Sequence, residues 1–123
     1  MTSKLHFLSP VLRTKDLEAT ISFYESILGF KKKTKFSNFV SLTKDHVEIM
    51  FIQAAEEPGG LRMTGNIYIF TENADDLWEL VKDKTKITSS IGDRQYLMRD
   101  FAILDNNGYE LVFGEDISNK NNP

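Results

Sequence analysis

Two short stretches of the sequence share one pattern, and that pattern decides the fold. Asp45-His46-Val47-Glu48-Ile49-Met50-Phe51 reads as a turn followed by apolar, Glu, apolar, apolar and Phe. Asn107-Gly108-Tyr109-Glu110-Leu111-Val112-Phe113 repeats the pattern 62 residues later, counted from Glu48 to Glu110. Self-similarity of this kind indicates a duplicated supersecondary unit. The sequence therefore predicts two copies of one module.

The segments before these stretches support the duplication. Residues 11–14 and 68–71 each read as a strand that ends at a threonine, and a helix-capping residue follows, Asp16 or Asn73. Gly29 closes the first helix as a left-handed residue. The buried stripes at helical spacing are Leu17, Ile21, Tyr24 and Leu28 in the first helix and Ala74, Leu77, Trp78 and Val81 in the second. Strands are predicted near 5–13, 31–36, 38–43, 47–53, 66–71, 86–91, 98–104 and 109–113.

The element order is thus βαβββ twice, an α+β fold in a single domain, 1–123. The first module spans 5–53 and the second 65–115. A linker, 54–64, contains the breakers Pro58, Gly59 and Gly60, and a tail, 116–123, follows the last strand. With 41% hydrophobic and 27% charged residues, a chain of this length can bury a core without staples.

Composition excludes several classes of function. The chain has no cysteine, which excludes thiolate metal sites and a cysteine nucleophile and suits a cytoplasmic location. A net charge of −3 disfavours nucleic-acid binding. No apolar run is long enough to span a membrane, and we expect no membrane partner.

Several motifs together resemble the vicinal oxygen chelate superfamily, which holds glyoxalase I, extradiol dioxygenases, fosfomycin-resistance enzymes and bleomycin-binding proteins. They lie in the stretches 12–17, 23–24, 28–30 and 96–111, with the final hairpin Asp105-Asn106-Asn107-Gly108 in place of the usual Asp-Pro-x-Gly. The resemblance implies that the two βαβββ modules form a curled, cleft-shaped mixed sheet. It also implies a homodimer with clefts at or near the interface.

Members of this superfamily hold a divalent metal through four cleft-facing positions. By alignment on Asp16 and Gly108, these positions fall here on Ser9, Met50, Asn66 and Val112. This set is not a metal site, so the resemblance points to the metal-free bleomycin-resistance-like members, with no metal and no other cofactor. The chain has only two histidines, His6 and His46, and a two-histidine iron centre is not expected.

Strand alternation predicts the side chains that line the cleft. The cleft set comprises Phe7, Ser9, Val11, Arg13, Glu48, Met50, Asn66, Tyr68, Phe70, Arg99, Glu110 and Val112. The opposite, core-facing set comprises Leu8, Leu12, Val47, Ile49, Phe51, Ile67, Ile69, Tyr109, Leu111 and Phe113. Aromatic and apolar walls with a few polar groups suit an organic ligand. The acids could attract a cation or pair with Arg13 or Arg99.

The first hypothesis is a metal-independent protein that sequesters a small organic molecule, as antibiotic-resistance proteins do, and it assigns no catalytic residue. The second is a glyoxalase-type lyase or isomerase whose metal is held unusually by Glu48 and Glu110. The third is a structural or interaction domain without a ligand. The sequence alone leaves the choice open.

Overall fold

Two copies of one strand order build the structure, a computed structural model that describes residues 3–54 and 59–119. The first half contains β1 (Val11–Thr14), α1 (Leu17–Ser26), β2 (Lys31–Phe36), β3 (Phe39–Lys44) and β4 (Val47–Gln53). The second contains β5 (Ile67–Phe70), α2 (Ala74–Val81), β6 (Lys86–Asp93), β7 (Met98–Leu104) and β8 (Glu110–Asp116). The predicted βαβββ duplication is confirmed. Residues 55–58 of the predicted linker and 120–123 of the predicted tail lie outside the described residues.

Each half forms its own four-stranded mixed sheet, in the orders β1-β4-β3-β2 and β5-β8-β7-β6. The first strand of each half runs parallel to the last, and the other neighbours are antiparallel. The registers correspond, with Val11 opposite Met50 in one sheet and Tyr68 opposite Val112 in the other. The α+β fold of two βαβββ modules is therefore as predicted, and the mixed sheet expected of the modules is present as two separate four-stranded sheets.

Local sequence signals set the helix ends. The Asp16 carboxylate accepts from the Ala19 amide at 3.0 Å, and the Asn73 side chain accepts from the Asp76 amide at 3.1 Å. Gly29 has a φ of 77°, a left-handed conformation in which a residue without a Cβ is unstrained. Both caps and the closing glycine are confirmed.

One continuous core lies between the sheets and the helices. Tyr24, Phe51 and Phe101 are its largest fully buried side chains. Tyr24 packs at 5.2 Å from Phe51, and Trp78 packs at 5.3 Å from Phe101, measured between ring centroids. Of the predicted core-facing set, Ile49, Phe51, Ile69, Tyr109, Leu111 and Phe113 are buried, and Leu12, Val47 and Ile67 pack partly against them.

The first strand is shorter than predicted. It begins at Val11 rather than residue 5, and Leu8, predicted to be core, is 86% exposed. The parallel register places residue 8 opposite Val47, the first residue of β4, so residues 5–7 face the β3–β4 turn instead of a strand. Pro10 also has no N–H to donate to the ladder. Residues 3–10 accordingly form no strand, although the Pro10 oxygen still accepts from the Met50 amide at 2.9 Å.

Candidate functional site

Each sheet has one face covered by its helix and one open face. On the first sheet the open face carries Val11, Met50 and Ser41, which stand side by side on β1, β4 and β3. Glu48 lies one row away, opposite Thr43. On the second sheet Tyr68, Val112 and Ala102 form the corresponding row. These two open faces carry most of the predicted cleft residues and form the candidate site.

Glu48 is held in place on the first open face. Its carboxylate accepts a hydrogen bond from Ser41, and Lys33 Nζ lies 3.8 Å away. The hydroxyl of Ser9 donates to the Glu48 backbone oxygen at 3.2 Å. The hydrogen bond from Ser41, with the charge of Lys33 as a smaller contribution, lowers the pKa of Glu48. Glu48 is thus a fixed anion at neutral pH and a weak proton acceptor.

A buried carboxylate, Asp100, lies at the centre of the second open face. Its Oδ1 accepts from Arg94 Nε at 2.8 Å. Its Oδ2 accepts from the hydroxyls of Tyr68 at 2.8 Å and Tyr96 at 2.7 Å. Arg94 also donates to Ser89 Oγ at 3.1 Å. Together these five side chains make a network that locks two phenol rings against the sheet.

The charge state of this network follows from its contacts. Burial raises the pKa of Asp100, but the hydrogen bonds from Arg94, Tyr96 and Tyr68 outweigh burial and leave the pKa below its ordinary value. Desolvation, followed by the bond to Asp100, raises the pKa of Tyr68 far above that of a free phenol. At neutral pH the carboxylate is therefore ionised and Tyr68 is protonated.

A glycine in β8 makes room for Tyr68. A Cβ built on Gly114 would lie 2.1 Å from the hydroxyl oxygen of Tyr68 and 2.6 Å from its Cζ, far inside van der Waals contact. Tyr68 therefore crosses β8 over Gly114 to reach Asp100 on β7. A side chain at position 114 would close this path.

Glu110 is bonded by neutral donors on the same sheet. Its two oxygens accept from Asn66 Nδ2 at 3.1 Å and Thr88 Oγ1 at 2.8 Å. Neither Glu48 nor Glu110 forms its contacts with Arg99. The guanidinium of Arg99 instead binds Asp75 at 2.9 Å and Asp93 at 2.9 Å, beside α2, and so is not brought to the open face.

The predicted cleft residues fall into two groups on separate sheets. Phe7 and Glu48 border a depression of about 200 Å³ on the first sheet. Phe70, 72% exposed, borders a different cavity between the two halves. Val11 and Arg13 are exposed on β1, the edge strand of the first sheet. The described part of one chain therefore presents two separate groups of predicted cleft residues, which we name half-sites, rather than one enclosed cleft.

The four aligned metal positions do not supply a metal site. Ser9 and Asn66 are engaged as hydrogen-bond donors, and Met50 and Val112 offer no oxygen or imidazole ligand. Within residues 3–54 and 59–119, no group of three His, Cys, Asp or Glu side chains could hold a metal ion. Glu48 and Glu110 lie on different sheets. The donor set does not fit the divalent metal of the superfamily.

Sequence reasoning missed the Asp100 network. Arg94 and Asp100 flank the β6–β7 turn, where Arg94 N donates to the Met98 oxygen at 2.8 Å and Leu97 has a φ of 63°. The sequence could have predicted the ion pair of Arg94 with Asp100, because an arginine and an aspartate on either side of a hairpin turn lie close together. Nothing in the sequence indicates that Tyr68, 32 positions away, reaches the same carboxylate.

The arrangement is better suited to binding than to proton transfer. Asp100, Glu48 and Glu110 all accept hydrogen bonds from side chains of their own sheet. A general base works best with a pKa near the operating pH, whereas the hydrogen bonds to Glu48 and Asp100 leave the pKa of each carboxyl below its ordinary value. The aromatic side chains around them are rigid, exposed in part and fit for stacking against an organic molecule.

Solved structures share this architecture along nearly the whole chain. A glyoxalase/bleomycin resistance protein/dioxygenase from Nocardioides superposes with a TM-score of 0.76 at 19% identity, over 96% of this chain and 87% of the other. A protein of the same description from Alicyclobacillus acidocaldarius gives a TM-score of 0.77 at 16% identity over 98% of both chains.

The bleomycin-binding protein of Streptomyces verticillus, solved with copper(II)-bleomycin, gives a TM-score of 0.74 at 20% identity, over 91% of this chain and 97% of that one. No curated protein matches the chain by sequence. Neither helix of the described residues is long and apolar enough to cross a membrane. The glyoxalase/bleomycin resistance protein/dioxygenase family profile matches residues 5–113, and the chain belongs to that superfamily.

Proposed function

We propose that this protein is a metal-independent small-molecule-binding protein that holds an organic ligand against its open sheet faces. The observation that carries the proposal is the Asp100 network, in which a fully bonded carboxylate fixes Tyr68 and Tyr96. Rigid phenol rings lose little entropy when a ligand stacks on them. The bleomycin-binding structural neighbour supports sequestration of an organic compound as the activity, and antibiotic resistance as one use of it.

We further propose that the functional form is a cytoplasmic homodimer. Support comes from the incomplete half-sites and from the apolar side chains that the single chain leaves in solvent. Leu5 is 93% exposed, Phe7 78% and Leu8 86%, and all three lie next to β1 at an open sheet edge. A second copy of the chain could cover this stretch. If a half-site of one copy then lay opposite a half-site of the other copy, the two would together form an enclosed cleft.

The test is a thermal-shift screen of aromatic organic compounds followed by calorimetry, each run with and without a chelator. A ligand at 100 times its dissociation constant adds about 2.7 kcal/mol to stability, a shift of several degrees for a domain of this size. We expect binding that the chelator leaves unchanged and that Tyr68→Ala weakens. A ligand that binds only with added zinc, nickel, manganese or iron would overturn the metal-independent proposal.

The dimer has its own test. Sedimentation equilibrium of the wild type and of Phe7→Ser/Leu8→Ser compares their masses, with Leu80→Ser on α2 as an exposed apolar control. We expect a dimer for the wild type and for the control and a weakened dimer for the double variant. A monomeric wild type would overturn the homodimer while leaving small-molecule binding to be judged by calorimetry.

A further inference from the structure

A cavity of about 680 Å³ lies between the two halves, away from the Asp100 network. Its floor is apolar and buried, formed by Leu28, Phe30, Ile69 and Phe113. Val47 and Leu77 line its sides, half-buried. Its size lies in the range of about 300–1,000 Å³ that small-molecule sites occupy. The superfamily cleft does not account for it, because its floor belongs to the core side of the sheets.

The duplication explains why the cavity exists. It adjoins the β3–β4 turn, residues 44–47, which we name the open turn. The corresponding turn of the second half, residues 105–109, is named the sealed turn because hydrogen bonds close it. Tyr109 Oη donates to the Arg13 oxygen at 2.6 Å, and Tyr24 Oη donates to Asp105 Oδ2 at 2.7 Å. Thr14 Oγ1 donates to Asn107 Oδ1 at 2.7 Å.

Two residue differences between the halves explain why the sealed turn is packed and the open turn borders a cavity. By the repeat, Val47 stands where the sealed turn has Tyr109, and Leu77 stands where α1 has Thr20. Thr20 accepts bonds from Asn106 and Asn107 at 3.0 and 3.2 Å, which Leu77 cannot do. The first exchange removes a ring and a hydroxyl, and the second removes a polar partner. Space that is filled on the sealed side is therefore empty on the open side.

The charged side chains at the rim of the cavity indicate the charge of the ligand that it would bind. Asp45, Glu72 and Asp76 are exposed on its rim, and among the described residues Glu72 and Asp76 have no ion pair. Lys44 and the imidazole of His46 are the basic groups of the lining, against these three carboxylates. The ammonium group of Lys44 lies beside Gly29, where Nζ would be 3.0 Å from a Cβ built on the glycine. Gly29 follows the carbonyl end of α1, and the helix dipole favours a positive charge there. The rim is thus net acidic.

We propose that this cavity is a second ligand site, which binds a small organic cation. The apolar or aromatic body of the ligand lies on the floor formed by Phe30 and Phe113. Its positive charge faces Glu72 and Asp76 at the rim. The cavity shares Phe70 with the predicted cleft set, and it shares Asp45, His46 and Val47 with the depression beside Glu48. The proposal is nevertheless independent of a ligand held at the Asp100 network, because neither Tyr68 nor Asp100 lines the cavity.

The experiment uses three probes of similar shape and different charge: benzyltrimethylammonium, benzyl alcohol and benzoate. Each is titrated into the isotopically labelled full-length protein while amide chemical shifts are recorded. We expect saturable shifts with benzyltrimethylammonium at residues 44–47 and 71–77. We expect weaker shifts at the same residues with benzyl alcohol and none with benzoate.

Two variants test the site. Glu72→Gln/Asp76→Asn should weaken benzyltrimethylammonium about fivefold or more, as the loss of two exposed ion pairs predicts. Val47→Tyr should fill the cavity and remove binding of both the cation and the alcohol. Asp83→Asn, an exposed acid beyond the end of α2, is the matched control and should bind as the wild type does.

Three results would overturn the proposal. One is the absence of saturable binding by the cation. Another is shifts centred on Tyr68 and Asp100 instead of the open turn. The third is tighter binding of benzoate, which would assign the site to anions through Lys44. If Val47→Tyr fails to fold, the Glu72→Gln/Asp76→Asn variant still decides the outcome, since both substitutions are on the surface.

Discussion

Gly114→Ala adds one methyl group at the place where Tyr68 crosses β8. The new Cβ would lie 2.1 Å from the hydroxyl oxygen and 2.6 Å from Cζ, both at the rigid end of the ring, so the ring itself must move. The 2.8 Å hydrogen bond to Asp100 is then lost. A hydrogen bond to a charged group contributes about 1.5–3 kcal/mol, and inserting a methylene into a packed site costs about 1–3 kcal/mol.

Asp100 keeps its bonds to Arg94 and Tyr96, which limits the loss. We therefore expect Gly114→Ala to lower the free energy of unfolding by about 2–4 kcal/mol, measured by urea denaturation. Gly65→Ala is the matched control, since no atom lies within 4 Å of a Cβ built there. It should change stability by less than about 1 kcal/mol.

A double-mutant cycle with Tyr68→Ala isolates the contact. In the Tyr68→Ala background the obstructing ring is gone, so Gly114→Ala should cost less than about 0.5 kcal/mol. If Gly114→Ala lowered the free energy of unfolding equally in the wild type and in Tyr68→Ala, the reasoning would be refuted. Gly114 would then be needed for something other than the path of Tyr68. A neutral Gly114→Ala in the wild type would refute it as well.

Three further predictions concern acids and the core. Burial raises the pKa of Asp105, so wild-type stability should fall as pH rises above about 4, and Asp105→Asn should abolish this loss in urea titrations at several pH values. The pKa of Asp100 is lowered, so its stabilisation is present above about pH 4 and lost in stronger acid, a loss that Asp100→Asn should lack. Identical pH profiles for variant and wild type would contradict either statement. Leu42→Ala, at a fully buried position, should cost about 2–5 kcal/mol in the same assay, and a cost below 1 would contradict its place in the core.

The fold was predictable because its signals are local. Asp16 and Asn73 cap helices through their own side chains, and Gly29 adopts its left-handed conformation within one turn of the chain. The repeated turn-strand pattern around Glu48 and Glu110 fixes the last strand of each half. Strand limits were harder to predict, since the pairing of β1 with β4 joins segments that are distant in sequence.

The candidate site was predictable only in part. Alternation placed Tyr68 and Val112 on the same face of the sheet, because period-two geometry belongs to the strand itself. The hydrogen-bond partners of a side chain, in contrast, depend on which strands and helices lie next to each other in the folded protein. The path of Tyr68 over Gly114 to Asp100 joins three strands, and the pairing of Arg99 with Asp75 joins β7 to α2. No periodicity within one segment encodes either contact.

The unequal turns also determine how the two halves can move. The sealed turn ties α1 to the second sheet through Tyr24, Asp105 and Asn107, whereas the open turn meets α2 across empty space. We therefore expect the contact of α1 with the second sheet to open less readily than the contact of α2 with the first sheet. Amide hydrogens at the start of α2 should accordingly exchange with solvent sooner than those at the start of α1.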